Sequence, residues 1–366
     1  MIRLIIFIIL VLALDFYALQ SFRSVVRNPW VTYGYVAISI AVFGNMVYQG
    51  YTLDRSSGIN SGFYLAFAVF VLVYVPKLIL LVFMFGEDVF RLFEAGVNYF
   101  VSKSDESSAL FSSRRKFIGQ LALGIAAIPF ISILYGITKG KYNFKVLKYT
   151  LEFDDLPAAF EGYQVTQISD IHSGSFDNKE KIEYAVDLVN EQASDVIMFT
   201  GDMVNSKSKE MRPWKSTFSK LKAKDGVFSI LGNHDYGDYT RWPSDEAKAE
   251  NFQELLDIQK DMGFDLLRNE SRFIEKNGQR IALVGVENWG SGRFKKAGDL
   301  NKALKDVAPE DFKILMSHDP SHWEAEVRKD YQDIALTLSG HTHGMQFGID
   351  IPGFVLSQWR ANAFTG

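Results

Sequence analysis

The sequence contains no cysteine among its 366 residues, and it has no excess of positive charge. The absence of cysteine excludes disulfide bonds, thiolate metal sites and cysteine nucleophiles, so any metal must be held by histidine, aspartate, glutamate or asparagine. The formal net charge of −4 argues against nucleic acid as a partner, because binding to a phosphate backbone requires clustered lysine and arginine.

The charges that are present are distributed unevenly along the chain. Residues 1–140 carry 11 Lys and Arg and 7 Asp and Glu, whereas residues 141–366 carry 28 and 36. An apolar first part therefore precedes a polar, acidic second part, and the length allows two domains. We expect a membrane anchor at 1–140 and a soluble domain at 141–366.

Four apolar stretches of the first part are long enough to cross a hydrocarbon core about 30 Å thick. The predicted transmembrane helices are Leu4–Phe22, Asn28–Leu53, Ser56–Gly86 and Phe117–Thr138. A signal peptide fits the first stretch poorly, because Asp15 interrupts it and no small-residue cleavage site follows. Asp15 and Lys77 are expected at helix–helix contacts, since a transport path usually shows several intramembrane acids.

Lysine and arginine in short loops favour the cytoplasm, and this rule predicts the orientation of the four spans. Placing the first and third loops inside collects seven cations there, which are Arg23, Arg27, Arg91, Lys103, Arg114, Arg115 and Lys116. The second part would then lie outside the cytoplasm. Ser113–Phe117 (SRRKF) also resembles a twin-arginine export signal, and an ordinary cytoplasmic helix flank explains it equally well. Either interpretation sends the soluble domain across the membrane.

From Tyr149 onward short β-rich runs alternate with helical stretches, a pattern typical of βαβ units and an α/β sheet. The predicted strands are Tyr163–Ile168, Asp195–Phe199, Val227–Leu231, Arg280–Val284, Phe312–Met316 and Ile334–Leu338. The predicted helices are Asn178–Gln192, Met211–Lys222, Ala247–Met262 and Trp323–Lys329.

Polar motifs follow five of these strands, and they contain five of the six histidines in the chain. The motifs are Asp170-Ile171-His172, Gly201-Asp202, Gly232-Asn233-His234-Asp235, Ser317-His318 and Gly340-His341-Thr342-His343. Ligands in open α/β sheets bind outside the carboxyl ends of the strands, so the five loops should converge on one crevice.

Oxygen and imidazole ligands without thiolate suit manganese, iron or zinc. A carboxylate such as Asp202 can bridge two cations, and a pair of cations can clamp the attacking and leaving oxygens of a phosphoryl displacement. Glycines before Asp202, Asn233 and His341 are expected to let the backbone turn sharply off each strand.

The ordered set of five motifs resembles the calcineurin-like metallophosphoesterases. The residues around the motifs are most similar to those of the bacterial membrane-associated or exported branch of this family. The resemblance covers roughly Tyr149–Gly348. It implies an α/β (mixed α+β) fold, a four-layer sandwich of two mixed β-sheets flanked by helices. The all-α transmembrane region would precede this sandwich.

The resemblance also implies a role for each motif residue. Asp170, His172 and His343 would hold a first metal ion, Asn233, His318 and His341 a second, and Asp202 would bridge the two. A hydroxide shared by the metals would attack phosphorus. His234 would neutralise the developing charge or protonate the leaving oxygen, and Asp235 would orient His234 and raise its basicity.

The function expected is metal-dependent hydrolysis of a phosphomonoester, phosphodiester or pyrophosphate bond in a small-molecule or lipid-linked substrate at the inner membrane. The bilayer is the expected partner. A catalytically inactive binding or scaffold module of the same fold is the alternative, and a transporter or sensor with a phosphoesterase appendage is another.

Further residues in loops after the motifs are candidates to line the crevice. They are Asn205, Tyr236, Tyr239, Trp242, Trp289 and Arg293. The segment Trp289–Arg293 is flexible and basic, which suits contact with a phosphate. His322, the sixth histidine, is expected at the surface or rim.

Overall fold

The computed structural model describes residues 2–26, 28–53, 61–101, 108–290, 292, 294–343, 349–351 and 354–356. These residues divide into two compact units, one up to Lys145 and one from Val146 onward.

The first unit contains four long helices. They are α1 (Ile2–Val25), α2 (Pro29–Thr52), α3 (Ser61–Val101) and α4 (Ser108–Thr138). Each has a stretch long and apolar enough to cross a membrane, with mean hydropathy between 1.4 and 2.6, which confirms the four predicted spans. Small side chains such as Ala18, Ala122 and Ala126 are buried where the helices pack, as is typical of helix contacts in membranes.

Helix α3 continues to Val101, well beyond the predicted end at Gly86. The extension carries Glu87 and Glu94, which a prediction based on hydropathy excludes from a span. Both acids form ion pairs with arginines of α4, so the helix continues because its charges have partners.

Charged groups inside the helical unit are also paired. Lys77 of α3 forms an ion pair with Asp15 of α1 at 2.5 Å and donates a hydrogen bond to Ser39 of α2 at 2.9 Å. The hydroxyls of Tyr35 and Tyr74 each donate a hydrogen bond to the Asp15 carboxylate at 3.1 Å. The network joins three helices, in agreement with the expected helix-pairing role.

The second unit is built on two four-stranded sheets. The first contains β1 (Val165–Ile168), β2 (Val196–Phe199), β3 (Val227–Ser229) and β4 (Phe264–Leu266), all parallel and in chain order. The second contains β5 (Glu270–Lys276), β6 (Gln279–Gly285), β7 (Phe312–Met316) and β8 (Ile334–Leu338), with β5 antiparallel and the others parallel. A separate antiparallel pair is formed by β9 (Ile349–Ile351) and β10 (Phe354–Leu356).

The two sheets face each other across one hydrophobic core. Met198 and Ile230 contribute to it from the first sheet side, and Leu283 and Ile314 from the second. The helices outside are α5 (Lys179–Asn190), α6 (Lys215–Phe218), α7 (Asp245–Asp261), α8 (Leu300–Ala303) and α9 (Arg328–Asp330). The predicted sandwich of two sheets flanked by helices is therefore confirmed.

Three local predictions differ from the structure. The helix predicted over Met211–Lys222 is reduced to a 3₁₀ turn and the four residues of α6. Residues Trp323–Val327 form one turn of π-helix. Strands β4 and β5 were not predicted, because β4 has only three residues and β5 is mostly polar.

Candidate metal centre

The loops that leave the carboxyl ends of the strands hydrogen-bond to one another. The backbone N–H of Asp170, after β1, donates to the carbonyl of Gly201, after β2, at 2.9 Å. The N–H of Gly340, after β8, donates to the carbonyl of His318, after β7, at 3.0 Å. The N–H of His341 donates to the Asp170 carboxylate, which joins the loops of the two sheets.

This arrangement brings the predicted ligands into two groups that share Asp202. In each group the potential ligand atoms lie within 4.8 Å of one another. The first group consists of Asp170, His172, Asp202 and His343, and the second of Asp202, His318 and His341. Asn233 joins the second group, because its Oδ1 lies 2.7 Å from Nδ1 of His341.

The centre of the cluster contains buried polar atoms that lack hydrogen bonds. Asp202 and His318 are 1% and 0% exposed, and neither Asp202 Oδ2 nor His318 Nε2 has a hydrogen-bond partner among the described residues. The two atoms are 3.1 Å apart. His318 Nδ1 lies 2.7 Å from the carbonyl of Thr200, and donation there leaves Nε2 with a lone pair directed at the cluster. These residues fit a cation, because unpaired buried groups are rare without such a reason.

The electrostatics of the cluster also favour positive charge. Burial acts against ionisation of Asp202, yet the adjacent His318 outweighs it and lowers the pKa of Asp202 to about 2. Burial likewise acts against protonation of His318, but Asp202 raises the pKa of His318 to about 9, so a metal ion that used the Nε2 lone pair would replace a proton there. Burial lowers the pKa of His172 to about 4, so this imidazole is neutral near pH 7 and able to bind a metal.

The backbone is strained at the predicted ligands. Among the described non-glycine residues, eight have positive φ, and five of these are predicted ligands. The five are Asp170 (53°), His172 (44°), Asp202 (61°), His341 (72°) and His343 (53°). Such conformations are costly for side chains with a Cβ, and they cluster at functional sites that the surrounding structure holds in place.

The glycines of the motifs serve two different purposes. Gly201 has φ +98° and makes the sharp turn that was expected. Gly232 and Gly340 do not have positive φ, but a Cβ on either would overlap neighbouring atoms, namely Asp202 for Gly232 and Ser169 and Asp170 for Gly340. These two glycines therefore permit close approach of the loops and not a left-handed turn.

His234 and Asp235 have different surroundings from those that the resemblance implied. His234 Nδ1 lies 2.7 Å from the carbonyl oxygen of Asn205, and the imidazole meets His172 edge to face with 4.7 Å between ring centroids. This contact orients His234 and leaves Nε2 as the ring nitrogen that Asn205 does not engage. The prediction that Asp235 orients His234 is wrong, because the position is taken by the Asn205 carbonyl.

Asp235 instead ties two loops together from inside. Its carboxylate is fully buried and accepts hydrogen bonds from the backbone N–H groups of Asp202, Met203, Val204 and Gly232 at 2.8–3.3 Å. Burial and the nearby charge of Asp202 raise the pKa of Asp235 to about 7. Asp235 thus positions Asp202, the residue shared by both ligand groups.

The remaining candidates separate into crevice and packing residues. Tyr239 borders the crevice, since its hydroxyl accepts a hydrogen bond from Asn233 at 2.7 Å and its ring lies 4.3 Å from the His234 ring. Tyr236 is buried, and the indole N–H groups of Trp242 and Trp289 donate to Gly237 and Glu326. Ser291 and Arg293, named in the predicted phosphate-contact segment, lie outside the described residues.

His322 is buried and not at the surface, which corrects the prediction. It is 0% exposed, stacks on Trp289 with 5.2 Å between centroids, and has Nδ1 2.8 Å from Ser317 Oγ. Its position after Asp319-Pro320 is typical of an exposed loop. Its burial against Trp289 is evident only from the tertiary structure. Phe294, whose ring lies 4.8 Å from His341, was missed, because one aromatic residue in a loop carries no distinguishing pattern.

Comparisons with known proteins match both units. A family model described as "Calcineurin-like phosphoesterase" matches residues 163–345, and one described as "Probable Calcineurin-like phosphoesterase, transmembrane domain" matches residues 2–141. A "Transmembrane protein with metallophosphoesterase domain" from Danio rerio is 31% identical over 263 residues, which cover 70% of this chain and 56% of the relative.

Two further relatives show the same similarity. The protein of the same description from Bos taurus is 26% identical over 68% of this chain and 56% of its own length. An "Uncharacterized metallophosphoesterase" from Aquifex aeolicus (strain VF5) is 29% identical over 59% of this chain and 76% of the relative. The matched part of this chain spans just over half the length of the two animal relatives.

Proposed function

The chain belongs to the calcineurin-like phosphoesterases, and we propose that it is an active, two-metal hydrolase of a phosphomonoester, phosphodiester or pyrophosphate bond. It is anchored in a membrane by its transmembrane region. The observation that carries the proposal is the pair of ligand groups that share the buried carboxylate of Asp202.

Two metal ions would be held by the seven residues Asp170, His172, Asp202, Asn233, His318, His341 and His343. When bound, manganese, iron or zinc ions would supply Lewis-acid stabilisation of phosphate oxygens and a nucleophile from water. An inactive scaffold is less well supported, because a centre without a function would have no reason to retain strained ligands and unpaired buried atoms.

The proton needed by the leaving oxygen would come from His234. The Asn205 carbonyl holds Nδ1 of this imidazole, so Nε2 can face the substrate. Tyr239 accepts a hydrogen bond from Asn233, which leaves its own O–H able to donate to another group. Asp235 contributes indirectly by fixing the loop that carries Asp202.

A lipid-linked phosphate is the favoured substrate, since attachment to the bilayer raises the local concentration of lipid substrates. We place the catalytic domain outside the cytoplasm, at the inner membrane, on the basis of the cations in the first and third loops. Because the chain has no cysteine, a single Glu161→Cys substitution would label with an impermeant maleimide in intact cells. Labelling only after lysis would place the domain in the cytoplasm.

The central experiment measures metal content and hydrolysis of bis(4-nitrophenyl) phosphate by the full chain in detergent. We expect two metal ions per chain in the wild type and loss of metal in Asp202→Asn. Loss of a general acid typically lowers a reaction rate about 10²–10⁴-fold, and we expect the rate of this variant to fall by at least that factor. Asp261→Asn, the same substitution at an exposed ion pair, should behave as wild type. A wild-type protein without metal or activity would overturn the proposal.

A further inference from the structure

A pocket of about 390 Å³ is lined by two residues that lie near residues of the metal centre in the sequence. Its lining includes Tyr236, Lys248, Phe252, Arg268, Glu287 and Lys295. Tyr236 follows His234 and Asp235 directly in the sequence. Lys295 follows Phe294, whose ring packs edge-on against the His341 ring at 4.8 Å. Neighbouring Cα atoms are about 3.8 Å apart, so both lining residues lie close along the chain to side chains of the centre.

The inner wall of the pocket is aromatic and is held by one buried carboxylate. Tyr236 and Phe252 stack with 5.3 Å between centroids. Glu287, only 9% exposed, accepts hydrogen bonds from the Tyr236 hydroxyl, from Nε of Arg268 and from Nδ2 of Asn269, each at 3.2 Å. The carboxylate is thus occupied in positioning its neighbours and does not need a ligand.

The other acids of the pocket are accounted for in the same way. Asp238 forms an ion pair with Lys248, and Asp245 lies in the first turn of α7, where the helix dipole favours a carboxylate. Arg268 lies over Phe252 with its guanidinium carbon 5.4 Å from the ring, and its pairing with Glu287 uses only part of the guanidinium.

Lys295 differs from the other cations of the pocket. Among the contacts of the described residues, its ammonium meets the Tyr236 ring at 5.6 Å and no carboxylate. Its backbone is nevertheless fixed, because Asn288 Nδ2 donates to the Lys295 carbonyl at 2.8 Å and Asn269 Nδ2 donates to the Ala297 carbonyl at 2.9 Å. A lysine without an acidic partner is thus held through its backbone in the same pocket as Arg268, whose guanidinium is only partly engaged.

From this arrangement we propose that the pocket binds a second anionic group of the substrate, such as a further phosphate or phosphonate, through Lys295 and Arg268. The inference rests on the proposed phosphoesterase function and specifies its substrate class. The enzyme would prefer phosphate esters with an additional anion to esters of the same size that carry only the scissile phosphate.

The test compares two substrates that differ in this one respect, 4-nitrophenyl butyl phosphate and 4-nitrophenyl 3-phosphonopropyl phosphate. Both release 4-nitrophenolate on hydrolysis. For the full wild-type chain we expect kcat/KM to be about tenfold higher for the phosphonate, the effect of one or two charge-assisted hydrogen bonds. Lys295→Gln should lose this preference while hydrolysing the butyl ester at the wild-type rate.

Lys296→Gln is the matched control, because it removes the same charge from the next, exposed residue, which does not line the pocket. It should retain the preference. Arg268 is left unchanged, since its removal would strand the buried Glu287. Equal kcat/KM for the two substrates in the wild type, or a preference that survives Lys295→Gln, would overturn the inference. Both results leave hydrolysis itself intact, whereas failure of the proposed function would show as no hydrolysis of either substrate.

Discussion

The helical unit and the phosphoesterase domain both bury charged side chains, and the ion pair Lys77–Asp15 can be compared with the pair His318–Asp202. Inside the helices Lys77 is 4% exposed and is fully engaged by Asp15 and Ser39. In the phosphoesterase domain Asp202 and His318 are as deeply buried, yet among the described residues Asp202 Oδ2 and His318 Nε2 have no hydrogen bond. Ion pairs with further hydrogen bonds hold helices together, whereas buried polar atoms without hydrogen bonds on a strained backbone are typical of a site that binds a ligand.

The arginines of α4 also form ion pairs between helices. Arg115 pairs with Glu87 at 2.6 Å and also contacts Asp88 and Gln20, and Arg114 pairs with Glu94 at 3.3 Å. The segment that resembles an export signal thus has a structural role in joining α4 to α3 and α1. Whether it also directs export stays a prediction from the sequence.

The largest effect is expected within the catalytic centre itself. His234→Ala removes a proton donor without removing a predicted ligand, so the hydrolysis rate should fall about 10²–10⁴-fold at unchanged metal content. Metal analysis and kinetics on the same preparation measure both quantities. If this variant lost its metal, His234 would be a ligand, and the contrast with Asp202→Asn would disappear.

A smaller effect is expected for the paired charges of the helices. Lys77→Met leaves Asp15 without its cation and should lower the free energy of unfolding by about 3–5 kcal/mol. The double variant Asp15→Leu/Lys77→Met should recover most of that loss, because no charge is left unpaired. Unfolding in a denaturing detergent series measures both variants. A single variant as stable as wild type would show that the ion pair does not hold the helices together.

The smallest effect is expected for the ion pair Arg280–Asp311 of the phosphoesterase domain, in which the arginine is exposed. Arg280 donates two hydrogen bonds to Asp311 at 2.7 and 2.8 Å, and these bonds, with one from the Ala308 N–H, lower the pKa of Asp311. A carboxylate with a lowered pKa in the folded state stabilises the fold above its ordinary pKa of about 3.9. That contribution is lost as the pH falls through the folded value.

Urea midpoints of wild type and Arg280→Gln should therefore differ slightly at pH 6 and converge as the pH is lowered below about 4. Tryptophan fluorescence of the full chain follows this transition. Lys296→Gln, which removes a cation that lies in no ion pair of the described residues, serves as the control. A difference that grew on acidification would contradict the assigned pairing.

Much of the architecture could be predicted from local patterns. The four apolar stretches appear as α1 to α4, and most strands of the two sheets appear where runs of β-branched and aromatic residues were found. The edge strand β5 was missed because an edge strand needs few apolar residues. The end of α3 was misplaced because its acids find partners only in another helix.

The roles of individual polar residues were harder to predict from the sequence than the architecture. The order of the motifs led to the two ligand groups that share Asp202. Asp235, in contrast, was predicted to orient His234, but its carboxylate accepts hydrogen bonds from backbone N–H groups. A hydrogen bond from a main-chain carbonyl, such as that of Asn205, leaves no trace in residue identity. His322 and Lys295 likewise differ from other histidines and lysines only through what packs around them.

By itself the sequence determined the membrane-spanning character of the first part and the types of ligand at the ends of the strands, because hydropathy and donor chemistry are properties of single residues. Tertiary structure alone decided which buried charges are paired, which carbonyl holds His234 and which lysine faces a pocket without an acidic partner. These depend on the direction of side chains that are distant in sequence, and direction is set only when the sheets and loops pack.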